Sequence, residues 1–294
     1  AASVALDWRR GIHDFGPKGV LMSVATPSAL PAVSGFSPTV RITAGQIARL
    51  TVLHAKYAMI ETFRVPIAVI GSLVFPALAL LFFVVPNRFV ADDVTMATQA
   101  VVSMSVFAVM ANGFFSFGLT IAENREQAWD PYLRTLPAPG IVRVLAQIFA
   151  TGAMGIAAII PVIIVGGLFT AADASVLRIL FGLVVLAVVA VPFMLIGACI
   201  GYAMPMKGAI AVVQVAMFGF AFGGGLFLPP VLFADWLNTL SMWLPSRQAR
   251  ELVIWAVEGG QLEWWAWVGI FAWTAGLLVL ALVLFRRDEG RRYR

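Results

Sequence analysis

"RILFGLVVLAVVAVPFMLIGACIGY" (Arg178–Tyr202) decides the fold. After Arg178 the run contains no Asp, Glu, Lys, Arg or His. As an α-helix it is long enough for a hydrocarbon layer about 30 Å thick, which takes about 20 residues. A closed β-barrel would need short segments alternating apolar and polar, and this run does not alternate. In lipid every backbone N–H and C=O must be satisfied within the chain, so a continuous run of this kind is helical.

Five further segments read the same way: Val65–Val85, Ala97–Ala122, Arg143–Phe169, Gly208–Leu228 and Trp264–Phe285. The composition agrees. Of the 294 residues, 61% are hydrophobic and 12% charged, with a mean hydropathy of +0.93. Soluble domains are about half apolar and about a quarter charged. The single cysteine, Cys199, excludes an intrachain disulfide and any Cys-based zinc spacing. The basic residues set the expected orientation. With six spans and both termini cytoplasmic, 16 of the 20 Lys and Arg fall inside, leaving Arg88, Arg178, Arg247 and Arg250 outside.

The flanks divide as follows. Residues 1–38 are rich in Pro, Gly and Ser between Gly16 and Pro38, and Pro27 and Pro31 break any signal-peptide core, so a loosely ordered cytoplasmic tail is expected. Residues 39–64 carry Ile42, Ile47, Leu50, Leu53, Tyr57 and Ile60 at near-helical spacing, with Arg49 and Lys56 on another face. That pattern predicts an amphipathic helix in the cytoplasmic interface, or one packed on a soluble partner. Residues 65–285 form the six-span domain, and 286–294 a basic cytoplasmic tail. Between spans five and six, Trp236, Leu237, Leu240, Trp243 and Leu244, then Leu252, Trp255 and Ala256, predict two short external helices broken at Pro245. They are long enough to re-enter the membrane but not to cross it. Trp264, Trp265 and Trp267 read as an aromatic belt or as substrate contacts. Gly197–Gly201 and Gly219–Gly223 are G-x-x-x-G pairs, for packing within one bundle or between copies.

No enzymatic chemistry is legible. The chain has no G-x-x-x-x-G-K-[ST], H-E-x-x-H or G-x-S-x-G. His13 and His54 both precede the first span. No catalytic residue, metal ligand or resident cofactor is expected, and nothing suggests nucleic acid. Ionisable residues inside spans usually mark ion-coupled transport, and the spanning cores have none. Energy for uphill movement would have to come from another chain.

One charged island remains, "ENREQAWDPYLRTLPAPG" (Glu123–Gly140), between spans two and three. Its charges would cost well over ~10 kcal/mol together in hydrocarbon. It has helix formers and early acids, an apolar set in Trp129, Leu133 and Leu136, and a stop at Pro137 and Pro139. It reads as a short helix on the cytoplasmic ends of two spans, or as a solvated hairpin tip.

The island resembles the R-E-x-G-(T/W)-x-x-x-L-x-x-L/T-P segment of type-2 ABC exporter permeases. The match runs through Arg125, Glu126, Trp129, Leu133, Leu136 and Pro137, with Ala128 where that family often has Gly. Gly224, Leu228, Pro229, Trp236, Leu244 and Pro245 resemble a second segment of the family, and the topology agrees over about residues 40–290. The resemblance implies a transmembrane subunit of an exporter for hydrophobic or amphipathic substrates, in a multi-pass prokaryotic cell membrane. It implies an ABC ATP-binding subunit as partner, holding the ATP and Mg, and a second permease copy or sibling chain. Glu123, Arg125, Glu126 and Asp130 would contact that ATPase, with Trp129 and Leu133 as the hinge to the bundle. Asn112, Phe115 and Leu119 of span two, and Gln214, Met217 and Phe218 of span five, would line the substrate path, although core packing is the other reading of each. The alternative function is a secondary transporter or channel without an ATPase.

Overall fold

Arg125, expected to contact a partner, lies at the junction of several helices, and the fold explains how it gets there. A computed structural model describes residues 43–64, 66–127 and 140–292. The expected tail over 1–38, the C-terminal Arg294, and Trp129, Asp130 and Leu133 of the island lie outside them. Among the described residues the structure is helical, without strands.

Helix α1 (Ala44–Phe63) starts with a capping box. Gln46 N donates to Thr43 Oγ1, and Thr43 N donates to Gln46 Oε1 at 2.9 Å. It packs along α5 (Gly140–Phe169) and buries Thr51 and Ala55. The apolar stripe of Leu53, Tyr57 and Ile60 stays exposed, so it is not used against the bundle. Helix α2 (Pro66–Ala79) runs on through a π-helical turn, Leu80–Val84. A short helix α3 (Arg88–Ala91) follows.

Among the described residues, five helices are long and apolar enough to cross a membrane: α4 (Val94–Glu126), Val142–Phe169 within α5, α6 (Val176–Ala203), α7 (Met206–Gly223) and Trp264–Asp288 within α10 (Trp264–Arg292). The first expected span, Val65–Val85, is helical, but the apolar stretch described there, Leu73–Val84, is shorter than these five. Side-chain caps set the starts. Asp93 Oδ1 accepts from Met96 N at 2.8 Å at the head of α4, and Ser175 Oγ accepts from Arg178 N at 3.4 Å at the head of α6. Helix α7 ends at Gly223, short of the expected Leu228, because Gly225 adopts a left-handed conformation with φ of 76°. Pro161 and Pro192 lie inside α5 and α6, where neighbouring helices can satisfy the freed carbonyls.

The core joins α4 to α6. Phe107, Phe114 and Phe193 are fully buried, and Phe114 meets Phe193 edge-on with centroids 6.2 Å apart. Within α4, residues Gly113–Leu119 are π-helical. A Cβ on Gly118 would sit 2.7 Å from Gly197 O, and one on Gly197 would collide with Gly113 O. Gly197 and Gly201 therefore pack within the bundle. Gly219, of the other glycine pair, faces open space.

The two short helices between α7 and α10 behave differently from each other. Helix α8 (Asp235–Ser241) leaves Trp236 and Leu240 exposed. Helix α9 (Pro245–Glu258) packs against α4, α6 and α10 and buries nine of its residues, Gln248 and Arg250 among them. The spanning cores are expected to carry no charge, and α9, which is not one of the spans, packs a buried Arg250 against α4. A segment too short and polar to be a span inserts between spans and brings an arginine with it.

Candidate functional site

The α4 end nearest the island is built around Arg125. Its Nη1 donates to Gly201 O at 2.7 Å and Met204 O at 3.2 Å. These are carbonyls at the C-terminus of α6, where the helix leaves acceptors unpaired and the macrodipole is negative. Nε and Nη2 both donate to Oδ1 of Asp288 on α10, at 2.9 and 2.7 Å. The Asp288 side chain is 6% exposed and that of Arg125 is 23% exposed. The neighbouring Glu126 does the converse job. Its Oε1 accepts from Met206 N at 2.7 Å, an orphan N–H at the positive end of α7. Tyr202 and Phe285 pack edge-on nearby, centroids 5.6 Å apart. Two consecutive residues of α4 thus tie together the ends of α6, α7 and α10.

The expected contact set divides accordingly. Arg125 and Glu126 are engaged within the chain, although Glu126, like Glu123, is exposed. Asp130, Trp129 and Leu133 fall outside the described residues. Sequence reasoning missed Asp288, although a signal existed: Asp288 and Glu289 are the only acids in an otherwise basic tail that continues α10.

The expected path residues differ in burial. Asn112 is 3% exposed; its Nδ2 donates to Ala108 O at 3.2 Å and its Oδ1 accepts from Ser116 Oγ at 3.1 Å. Phe115 and Leu119 are only half-buried. The π-helical segment Gly113–Leu119 there has i→i+5 bonds. On α7, Met217 is buried, whereas Gln214 and Phe218 are exposed.

A second polar cluster lies where α9 meets α4. Arg250 is 5% exposed. It donates from Nε to Ser103 Oγ at 2.9 Å, from Nη1 to Glu251 Oε1 at 2.7 Å and from Nη2 to Gln99 Oε1 at 3.3 Å. Gln99 Nε2 donates onward to Glu258 Oε2 at 3.2 Å. Arg247 Nε lies 3.0 Å from Glu251 Oε1, but neither its Nε nor its Nη1 makes a hydrogen bond. Burial pushes the Arg250 guanidinium below its ordinary pKa, and the carboxylates of Glu251 and Glu258 oppose that. Burial also lowers Arg247, with Glu251 opposing and Arg250 adding to the fall. Burial raises the Glu258 carboxyl, against the Gln99 hydrogen bond and the Arg250 charge. Arg250→Met is expected to destabilise the chain by about 2 kcal/mol, because Ser103 and Gln99 each lose a buried partner. Unfolding in mixed micelles would measure it.

No family model matches the chain. It is 26% identical over 230 residues to "Putative transport permease YvfS" of Bacillus subtilis (strain 168), an alignment covering 76% of this chain and 91% of that protein. With five helices among the described residues long and apolar enough to cross a membrane, the chain is a multi-pass membrane protein with the make-up of a permease. This similarity bears out the resemblance to ABC-type transport permeases read from the charged island and the helix order.

Proposed function

We propose that the chain is the membrane-spanning subunit of an ATP-driven exporter in a prokaryotic cell membrane. It has six spans with both termini cytoplasmic, and α1 lies in the cytoplasmic interface. A separate ABC ATP-binding subunit, carrying the ATP and Mg, docks on the island that follows Glu126. The permease acts with a second copy or a sibling chain and moves a hydrophobic or amphipathic substrate outward.

The observation that supports this reading best is the Arg125–Glu126 knot. A push on the island is delivered to α4 one residue from Glu126. Through Arg125 it reaches the α6 terminus and Asp288 of α10, and through Glu126 the first turn of α7. Packed elements joined this way move as rigid bodies rather than bending separately. Docking and transmission then fall to different residues. Glu123, exposed, contacts the ATPase, while Arg125 and Glu126 carry the displacement inward. Glu123→Arg is expected to weaken assembly with the ATP-binding subunit, or its stimulated ATPase activity, by tenfold or more, while the isolated permease keeps its stability. Glu126→Arg is expected to fail in both respects, because it puts a cation at the positive end of α7. Normal assembly and normal stimulated ATPase in Glu123→Arg would remove the docking assignment.

The buried Arg250, with Glu251 half-buried beside it, favours a second reading, a secondary transporter coupled to an ion. That reading requires transport by the purified chain under an ion gradient, with no ATP-binding subunit present.

A further inference from the structure

Helix α1 packs along α5 with a face of small residues, the buried Thr51 and Ala55 and the half-buried Ala58. Its other side stays open. Leu53, Tyr57, Ile60 and Phe63 are between 38% and 62% exposed. Arg49, Lys56 and Arg64 are exposed with them. The sequence pattern sets Arg49 and Lys56 apart from the apolar stripe, but residues three and four apart are neighbours on a helix. Arg49 lies one turn from Leu53, Lys56 one turn from both Leu53 and Ile60, and the C-cap Arg64 one turn past Ile60. Cations and large apolar side chains therefore alternate on one face.

Such a face matches the boundary between lipid headgroups and acyl chains. The apolar side chains enter the acyl region, and the long stems of Lys and Arg carry their charge back out to the headgroups. A soluble partner would have to bury the charges along with Leu53 and Ile60, and burial of unpaired charge is costly. Two features keep α1 beside a bilayer. Arg64 stands two residues before Pro66, where the apolar helix α2 begins. The helix α5 that α1 packs along is long and apolar enough to cross a membrane over Val142–Phe169.

The charge on the face is one-sided. Glu61 is the only acid in α1, and among the described residues Arg49, Lys56 and Arg64 form no ion pair. The three cations follow at intervals of about 10 to 12 Å along the helix axis. That spacing does not converge on one small anion. It suits a row of separate anionic groups.

We propose that this face of α1 selects anionic phospholipids in the leaflet where it lies. Arg49, Lys56 and Arg64 each meet a separate phosphate headgroup, and Leu53, Ile60 and Phe63 sit among the first acyl segments. Lipid selection of this kind rests on the placement of α1 in the interface, and not on the ATP-driven reading.

The test uses the purified full-length chain with Cys199→Ser and Leu53→Cys, carrying a bimane fluorophore on the new thiol, in phosphatidylcholine vesicles. Small mole fractions of brominated phosphatidylglycerol or brominated phosphatidylcholine are added, and bromine quenches on contact. Phosphatidylglycerol is expected to reach half-quenching at a mole fraction at least about fivefold lower, the effect of one cation near a charged surface. The two lipids should become equal in about 1 M salt, where screening acts within about 3 Å. They should also become equal when Arg49→Gln, Lys56→Gln and Arg64→Gln are combined. Equal quenching by both lipids in the unaltered chain at low salt would overturn the lipid selection and leave α1 in the interface. A difference that survives both high salt and the triple substitution would overturn it too. Quenching by neither lipid would turn this face away from the bilayer and overturn the interfacial placement itself.

Discussion

Arg125→Ala is expected to destabilise the chain by about 3 kcal/mol, the scale of removing one partner from a largely buried ion pair. The substitution takes the guanidinium from a carboxylate that is 6% exposed and from the carbonyls of Gly201 and Met204. Unfolding in mixed micelles would give the size of the effect. A double-mutant cycle with Asp288→Asn separates the ion pair from the carbonyl bonds. Asp288→Asn alone should cost less than Arg125→Ala. In the Arg125→Ala background it should recover part of the loss, because a neutral amide is less costly to leave beside a missing cation. A full, additive loss from both changes would mean that the two residues do not interact.

The second large effect is expected at Gly197. A Cβ there would collide with Gly113 O, and it would lie 3.2 Å from Gly118 Cα. The obstacles are backbone atoms, which cannot rotate away as a side-chain tip can. Gly197→Val is therefore expected to cost about 3 kcal/mol or more through overpacking. Gly219→Val is the counterpart, because nothing lies within 4 Å of a Cβ at that position. Its effect on the isolated chain should stay within about 0.5 kcal/mol. Thermal unfolding of the two variants side by side checks the contrast. Loss of assembly in Gly219→Val with the fold retained would mark that face as a contact between copies.

Much of this architecture was legible because the bilayer restricts the choices. Long uncharged runs give helices, and their positions matched to within a few residues at Arg178–Tyr202 and Trp264–Phe285. What periodicity could not give was register. The π-helical segment Gly113–Leu119 interrupts the 3.6-residue repeat inside a sequence with no proline, so no sequence signal marks it. Helix α9 was legible as short and apolar in part. Its depth was not, because burial of Arg250 depends on Ser103 and Gln99, which lie 147 and 151 residues away. The two glycine pairs look alike in sequence and differ in space. Only the close backbone of α4 distinguishes Gly197 from Gly219.

The island was found from charge alone, and its neighbourhood explains why Arg125 and Glu126 stand together. One residue suits the negative end of α6 and the other the positive end of α7. That pairing is a local electrostatic rule, but its targets are set by the turn at Met204–Met206, about 80 residues further along the chain.

On the proposed function, energy enters through the segment beginning at Glu123. Cys199 is the single cysteine and is buried, so a Cys199→Ser chain carrying Glu123→Cys offers one exposed thiol. Co-expressed with a candidate ABC ATP-binding subunit and treated with a short thiol-to-amine crosslinker, it should yield a permease–ATPase product, and ATP with vanadate should change the yield. An ATP-binding subunit that neither co-purifies nor crosslinks at Glu123→Cys, alongside transport by the permease on its own, would contradict the account.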